Sequence, residues 1–139
     1  MKTMECVLCD RVILVFHYES VPTAAEWSSY LDIYTKNIDR LSGVLVITEG
    51  GAPNSAQRKQ LSETYEKTRQ APVAIVSDSA IARGAITAFR WLGMVTMTPF
   101  SPARLDEAME FVKADPGTRT KLRAEIQRFS TGQKILKAR

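Results

Sequence analysis

The chain has 139 residues, of which 45% are hydrophobic and 24% charged, and a formal net charge of +4. This length suits one domain with a buried core and is too short for two, and the composition excludes disordered and fibrous proteins. The longest apolar run, residues 12–16, is far shorter than the roughly 20 residues of a membrane-spanning helix, and a secretion signal is not recognisable, so we expect a cytoplasmic protein.

The positive charge is concentrated towards the carboxyl terminus. Residues 112–139 contain eight Lys or Arg and two acidic residues, a local balance of +6, whereas residues 1–111 carry −2. The chain therefore combines a near-neutral body with a basic tail. It does not show a basic binding face, and we expect no nucleic-acid partner.

The two cysteines, Cys6 and Cys9, form an isolated C-x-x-C. A structural zinc site needs four ligands, and together with His17 the cysteines supply three at most, so we expect neither a metal site nor a cofactor. A redox pair needs its first cysteine at a helix amino terminus, whereas this pair precedes an apolar strand. Residues three apart in a strand point to opposite faces, so we predict two reduced thiols at the edge of a core.

Apolar runs and a capping box organise the first half of the chain. Thr23 and Glu26 form the box, and large residues recur every three or four positions after it, which predicts a helix with one buried face. Continuous apolar runs predict strands that are covered on both faces. The predicted elements are antiparallel strands over 5–9 and 11–18, a helix over 24–40, a strand over 44–47 and a helix from 55 to about 68.

The second half repeats the alternation of strands and helices. The Ser-Asp-Ser segment 77–79 supplies capping side chains for a helix that is rich in small residues and can approach a sheet or a partner closely. A Ser-Pro and an Asp-Pro pair open two further helices. The predicted elements are a strand over 72–76, a helix over 79–92, a strand over 94–97, and helices over 101–111 and from 115 onwards.

The order of elements predicts an α/β layer fold. Strands that alternate with helices form a largely parallel sheet, here of about five strands, and the first two strands add an antiparallel pair. We predict one α/β domain over residues 1–112 and a basic helical extension over residues 113–139.

The loops that follow parallel strands gather at one edge of the sheet, and ligands or partners usually bind there. The loop 49–54 and the turn 77–79 should both lie at this edge, followed by the first turns of their helices. The candidate binding residues, for a protein partner or a ligand, are Glu49, Gly50, Gly51, Asn54, Arg58, Asp78, Ser79, Arg83 and Gly84.

The sequence does not show a catalytic set. A pair of nucleophile and base is not recognisable, and Gly50-Gly51 lacks the Gly-Lys-Ser or Gly-Lys-Thr of a phosphate-binding loop. His17 follows an apolar strand, and we interpret it as a structural or exposed residue rather than a base. We therefore expect a protein that is not an enzyme, with no catalytic residue.

Residues 6–112 resemble the STAS domain of anti-sigma-factor antagonists, and in particular a bacterial STAS-like group related to CRAL-TRIO lipid-binding proteins. The resemblance rests on the order of elements, on the strand 72–76 that runs into Ser77-Asp78-Ser79, and on the small-residue helix behind it. It implies a bacterial regulatory domain that switches protein partners.

Regulated members of this family carry a phosphorylated Ser or Thr in an Asp-Ser-Ser-Gly-like turn. Aligning Asp78 with the family aspartate places Ala80 at the modified position, and a shift by one residue makes Ser79 the candidate phosphoacceptor. A phosphate at a helix amino terminus is physically favourable, but helix capping explains both serines equally well.

Two functions follow as expectations. The first is a regulatory interaction domain that binds a protein through the strand-end edge and the 79–92 helix. The alternative is a module that binds a small anionic metabolite or a lipid head group at 49–58 and 78–83, where two helix amino termini and two arginines converge. A homodimer is a third kind of assembly that the sequence leaves open.

The basic tail carries a narrow apolar stripe of Leu122, Ile126 and Phe129. We expect this stripe to dock on the domain, because three large apolar residues are too few for strong membrane attachment and a short isolated helix is marginal in water. An acidic protein partner and an anionic membrane are the alternatives. Ser130-Thr131-Gly132 is expected to break the helix.

Overall fold

The computed structural model of the chain describes residues 2–77 and 97–137, the last eight of them by their backbone alone. The strands are β1 (Met4–Cys9), β2 (Val12–His17), β3 (Gly43–Thr48), β4 (Val73–Val76) and β5 (Met97–Phe100). The helices are α1 (Ala24–Asn37), α2 (Ser55–Lys67), α3 (Leu105–Phe111) and α4 (Pro116–Lys137), and a 3-10 turn over Pro102–Arg104 leads into α3.

The five strands form one sheet in which spatial order equals chain order, β1-β2-β3-β4-β5. β1 pairs with β2 antiparallel, and every other neighbouring pair is parallel. The predicted α/β fold with a mostly parallel five-stranded sheet is confirmed. β2 lies between β1 and β3 and contributes to a core cluster on each face of the sheet, so it is buried along its whole length.

The two faces of the sheet carry separate halves of the core. On the α1/α2 face, Ile13 and Val15 pack with the aromatic residues of the two helices, as the helical spacing predicted. On the α3/α4 face, Leu14 and Phe16 pack with residues of α3 and α4. Cys6 contacts the first cluster and Cys9 belongs to the second, and both are free thiols. The predicted placement of the two thiols on opposite faces is confirmed.

Helix α4 docks on the sheet, as predicted for the apolar stripe. Leu122 is fully buried, and the ring of Phe129 lies 5.5 Å from that of Phe16. At the other end of the helix, the Thr118 hydroxyl donates to Asp10 Oδ2 over 2.7 Å, which ties α4 to the β1–β2 turn.

The predicted helix break at residues 130–132 is wrong, because α4 continues to Lys137. Ser and Thr cost a helix only a fraction of a kcal/mol and Gly about 1 kcal/mol relative to Ala. A helix that is already anchored by Leu122 and Phe129 extends through such residues, since propagation is far easier than nucleation.

Two other boundaries differ from prediction. Helix α1 ends at Asn37 rather than at residue 40, and the N–H groups of Arg40 and Leu41 close a turn onto the Asn37 carbonyl.

The last strand covers Met97–Phe100, whereas the sequence placed it over 94–97. Residues 94–96 lie outside the described part of the chain. The observed strand includes Pro99, a residue that is unfavourable inside a sheet. Ser77 N–H donates to Phe100 C=O, so alternation turns the main chain of Pro99 away from β4, where its missing N–H costs no ladder bond.

The predicted 79–92 helix, with Asp78, Ser79, Arg83 and Gly84, also lies outside the described residues. Within the ranges 2–77 and 97–137, none of the helices combines the length and apolar character that crossing a bilayer requires.

Candidate functional site

Polar side chains end three neighbouring parallel strands on the α1/α2 face. His17 ends β2 opposite Thr48, which ends β3, and Ser77 follows Val76, the partner of Ile47. His17, Thr48 and Ser77 are all buried. We call this region, together with the loops 18–23 and 49–54 that cover it, the carboxyl edge.

The loop after β3 is hydrogen-bonded to the end of β2. The Glu49 N–H donates to the His17 carbonyl over 2.9 Å, and the Gly51 N–H donates to the Tyr18 carbonyl over 2.7 Å. Thr48 stabilises the same loop from within, because its hydroxyl accepts from Gly50 N–H at 3.0 Å and donates to the Gly51 carbonyl at 2.7 Å. Main-chain and side-chain hydrogen bonds together connect the loop to the ends of β2 and β3.

The two glycines of this loop are needed for different reasons. Gly50 has φ +123°, a backbone conformation that L side chains rarely adopt. Gly51 is instead required by contact, since a Cβ there would lie 2.2 Å from the Tyr18 carbonyl oxygen and 2.7 Å from that of Ser20. The sequence did not reveal this close approach of the two loops.

The amino terminus of α2 is closed by its own residues. Asn54 and Gln57 form a reciprocal capping box. Gln57 has a second role that the sequence did not reveal, because its Nε2 donates to the Pro22 carbonyl over 2.8 Å and so connects α2 to the loop 18–23. The Arg58 guanidinium is half-buried and donates to the Pro53 carbonyl and to Ser55 Oγ.

The amino terminus of α1 is closed by a carboxylate. Glu26 accepts from Thr23 N–H in the predicted capping box, and also from the N–H groups of Thr3 and Met4 at 3.1 and 3.2 Å. The hydroxyls of Thr3 and Thr23 donate to it as well. Burial alone would raise the pKa of Glu26, but these hydrogen bonds outweigh it and hold the pKa at about 2.

His17 is buried and neutral. It is 5% exposed, and no group in the described residues hydrogen-bonds to its Nδ1. Desolvation lowers the pKa of His17 to about 4, although the Glu26 carboxylate acts in the opposite direction. An imidazole of this kind contributes a fixed, uncharged polar atom beneath the edge loops.

The carboxyl edge brings together five of the predicted site residues, Glu49, Gly50, Gly51, Asn54 and Arg58. The other four, between Asp78 and Gly84, lie outside the described residues. Sequence reasoning did not assign Thr48 and Gln57 to the site. The signal that could have found Thr48 is a polar residue at the end of an otherwise apolar strand.

In the described ranges, His, Cys, Asp and Glu side chains do not form a group of three or more that could hold a metal ion. No known protein family, curated protein or solved structure matches this chain. The resemblance to the STAS domain therefore stays a prediction.

Proposed function

We propose that this chain is a non-enzymatic regulatory domain that binds another protein through its carboxyl edge. The observation that supports this function is the hydrogen-bonded union of the two edge loops. Gly51 joins the loop 49–54 to Tyr18, and Gln57 joins α2 to Pro22. A surface that is already ordered loses little conformational entropy when a partner binds, which favours affinity.

The ordered surface also presents an apolar side chain. Val21 is 49% exposed, and it is the exposed large hydrophobic residue among those that the structure describes. Its neighbour Pro22 is buried and accepts the hydrogen bond from Gln57, so the main chain next to Val21 is anchored to α2. Gly50 and Asn54 are exposed on the adjoining loop. An apolar group surrounded by polar main chain is typical of the centre of a protein interface.

The described residues favour a protein partner over the alternative of a small anion. Both helices that begin at this edge have capping boxes, which already engage the N–H groups of the N-cap residue and of the third helical residue. At α1 the acceptor is the Glu26 carboxylate, whose charge repels an anion. Arg58 is turned towards the start of its own helix. The anionic-ligand alternative therefore depends on residues 78–83.

Site-specific photo-crosslinking tests the protein-binding function. A photoreactive amino acid is placed at Val21 in one variant and at Lys36 in a control, since Lys36 is exposed in the last turn of α1 at the opposite end of the helix. Crosslinking in the producing cells should yield the same discrete adduct from Val21 in repeated experiments and none from Lys36. The same adducts from both positions would contradict the proposal.

A binding measurement with the captured partner completes the test. Val21→Glu should weaken binding at least tenfold and leave the unfolding midpoint unchanged, because Val21 is exposed. A chain that captures no protein but is stabilised against heat by inorganic phosphate would support the anionic-ligand alternative instead.

A further inference from the structure

β1 is an edge strand whose outer side is open. Its six residues pair with β2 in one continuous register, and the hydrogen bond from Tyr18 N–H to Thr3 C=O sets the phase of the ladder. In an antiparallel pair alternate residues bond to the partner strand, so the main chains of Met4, Cys6 and Leu8 face outwards.

Part of this outer side is already used. The Met4 N–H donates to Glu26, which leaves the Met4 carbonyl and both main-chain groups of Cys6 and Leu8. Within residues 2–77 and 97–137, nothing hydrogen-bonds to these groups. The strand therefore presents two donors and three acceptors in a row.

The opposite edge of the sheet, formed by β5, contains a proline, a residue that natural proteins use on edge strands to prevent the addition of a further strand. Pro99 lies on β5 with its main chain facing outwards, and a proline cannot donate to an added strand. β1 contains neither a proline nor a bulge. Among the described strands, β1 is thus the edge strand without a residue that interrupts pairing.

We infer that two copies of this chain associate through β1, antiparallel and related by a two-fold axis at Cys6. Cys6 of one copy then lies opposite Cys6 of the other, and Leu8 lies opposite Met4. Four main-chain hydrogen bonds form, two between the Cys6 residues and one from each Leu8 N–H to the Met4 carbonyl of the other copy. The ten strands become one continuous sheet.

Complementary charges favour a second copy of the chain as the partner, and they favour this register over the neighbouring ones. With the axis at Cys6, Lys2 of each copy lies opposite Asp10 of the other, so the interface is complementary to itself. Both residues are exposed, and each already takes part in an exposed ion pair within its own chain. An axis at Glu5 would place two Glu5 carboxylates opposite each other, and an axis at Val7 would separate Lys2 from Asp10.

The side chains along β1 fit such an interface. Val7 and Leu8 are half-buried on opposite faces of the sheet, and a paired strand would cover the apolar surface that they still expose. Six residues on each side make a small interface, well below the roughly 1,600 Å² of a standard complex. We therefore expect a reversible dimer whose population rises with concentration.

Oxidative crosslinking tests the register. In a hydrogen-bonded antiparallel pair the Cα atoms are about 5.5 Å apart, which lies within the range of a disulfide. Diamide accepts the two electrons and two protons that are released when two thiols join. Because burial raises the pKa of the Cys6 thiol, the reaction is run at mildly alkaline pH.

The two cysteines provide a matched pair of variants. Cys9→Ser, which keeps Cys6, should give a species of twice the chain's mass, and Cys6→Ser, which keeps the buried Cys9, should give at least tenfold less. Equal yields from the two variants, or no crosslink from Cys9→Ser at concentrations that suffice for association, would overturn the proposed register.

Sedimentation of the full chain over a range of concentrations tests the association without relying on a disulfide. Lys2→Glu should raise the dimer dissociation constant about fivefold at low salt, whereas Lys36→Glu, which changes the net charge equally, should not. Cys6→Pro removes an outward N–H and no bond to β2, so it should abolish the dimer while the monomer stays folded by circular dichroism. The proposal would be contradicted if the chain were monomeric at every concentration. It would also be contradicted if Lys36→Glu raised the dimer dissociation constant as much as Lys2→Glu.

Discussion

At the scale of single residues, Gly51 is a position of the carboxyl edge that has no room for a side chain. A Cβ at this position would overlap the Tyr18 carbonyl oxygen, which is main chain and cannot move alone. We expect Gly51→Ala to lower the free energy of unfolding by about 2 kcal/mol, as overpacked positions do.

Gly117→Ala is the matched control for this prediction. Gly117 lies in the first turn of α4, where an added Cβ would meet only the Asp115 carboxylate at 3.5 Å, an ordinary contact. It should change stability by less than about 1 kcal/mol, in the stabilising direction. Urea unfolding of both variants measures the difference, and equal stability would show that the edge loops can separate at little cost.

The burial of His17 should make the stability of the protein depend on pH in mild acid. Its pKa falls from 6.5 to about 4 in the folded state, so below pH 6.5 the unfolded chain takes up a proton that the folded chain does not. Stability should therefore decrease by about 3 kcal/mol as the pH falls from 6.5 to 4. It is the single histidine of the chain, so His17→Leu should remove this part of the pH profile. Denaturation midpoints measured across this range would contradict the prediction if the two profiles were parallel.

Glu26 controls a second and more acidic part of the profile. Its pKa is lowered from 4.5 to about 2, so its contribution to stability is complete above pH 4.5 and is lost as the pH falls towards 2. At neutral pH, Glu26→Gln should lower the free energy of unfolding by about 2 kcal/mol, because charged acceptors form the stronger hydrogen bonds.

Glu63→Gln serves as the control for Glu26, because Glu63 is exposed on α2. This variant should change stability by less than about 0.5 kcal/mol. The loss in Glu26→Gln should disappear at acidic pH, where the wild-type carboxylate is protonated too. A loss that is the same at every pH would mean that the side chain acts through packing and not through its charge.

At the scale of elements, α4 is a structural part of the core. Leu122 is fully buried against the α3/α4 face of the sheet, whereas its neighbour Arg123 is exposed and paired with Asp106. Leu122→Ala should lower the free energy of unfolding by about 3 kcal/mol, and Arg123→Ala by less than about 1 kcal/mol. Chemical denaturation of the two variants measures this contrast. Similar losses would show that α4 is held by its charges.

The elements also show which features the sequence could reveal. The strands β2, β3 and β4 and the helices α1 and α2 were predictable, because each carries a strong local pattern of apolar residues. The errors occurred where tertiary contacts override local preference. Pro99 is accepted because β5 is an edge strand, and α4 passes Gly132 because its preceding turns are anchored.

At the scale of the whole molecule, the position of the carboxyl edge followed from the alternation of strands and helices. The approach of its two loops did not, because the hydrogen bonds from Gly51 to Tyr18 and from Gln57 to Pro22 join residues that lie 33 and 35 positions apart in the sequence. Patterns of apolar spacing contain no information on such contacts. The sequence left open whether His17 is structural or exposed for the same reason, since its burial depends on what covers the end of β2.

The docking of α4 against the first hairpin has a consequence for biosynthesis. The sheet can grow in the order in which the ribosome supplies it, because every strand pairs with the one made before it. The α3/α4 face of β2 is covered by α4 only later, because Thr118, which binds Asp10, follows it by 108 residues and Phe129, which packs on Phe16, comes later still. Until residues 116–129 emerge, the nascent chain exposes the apolar side chains of its most buried strand. Its vulnerable stage is therefore late in translation, when a chaperone would find a sheet that is already formed and half covered.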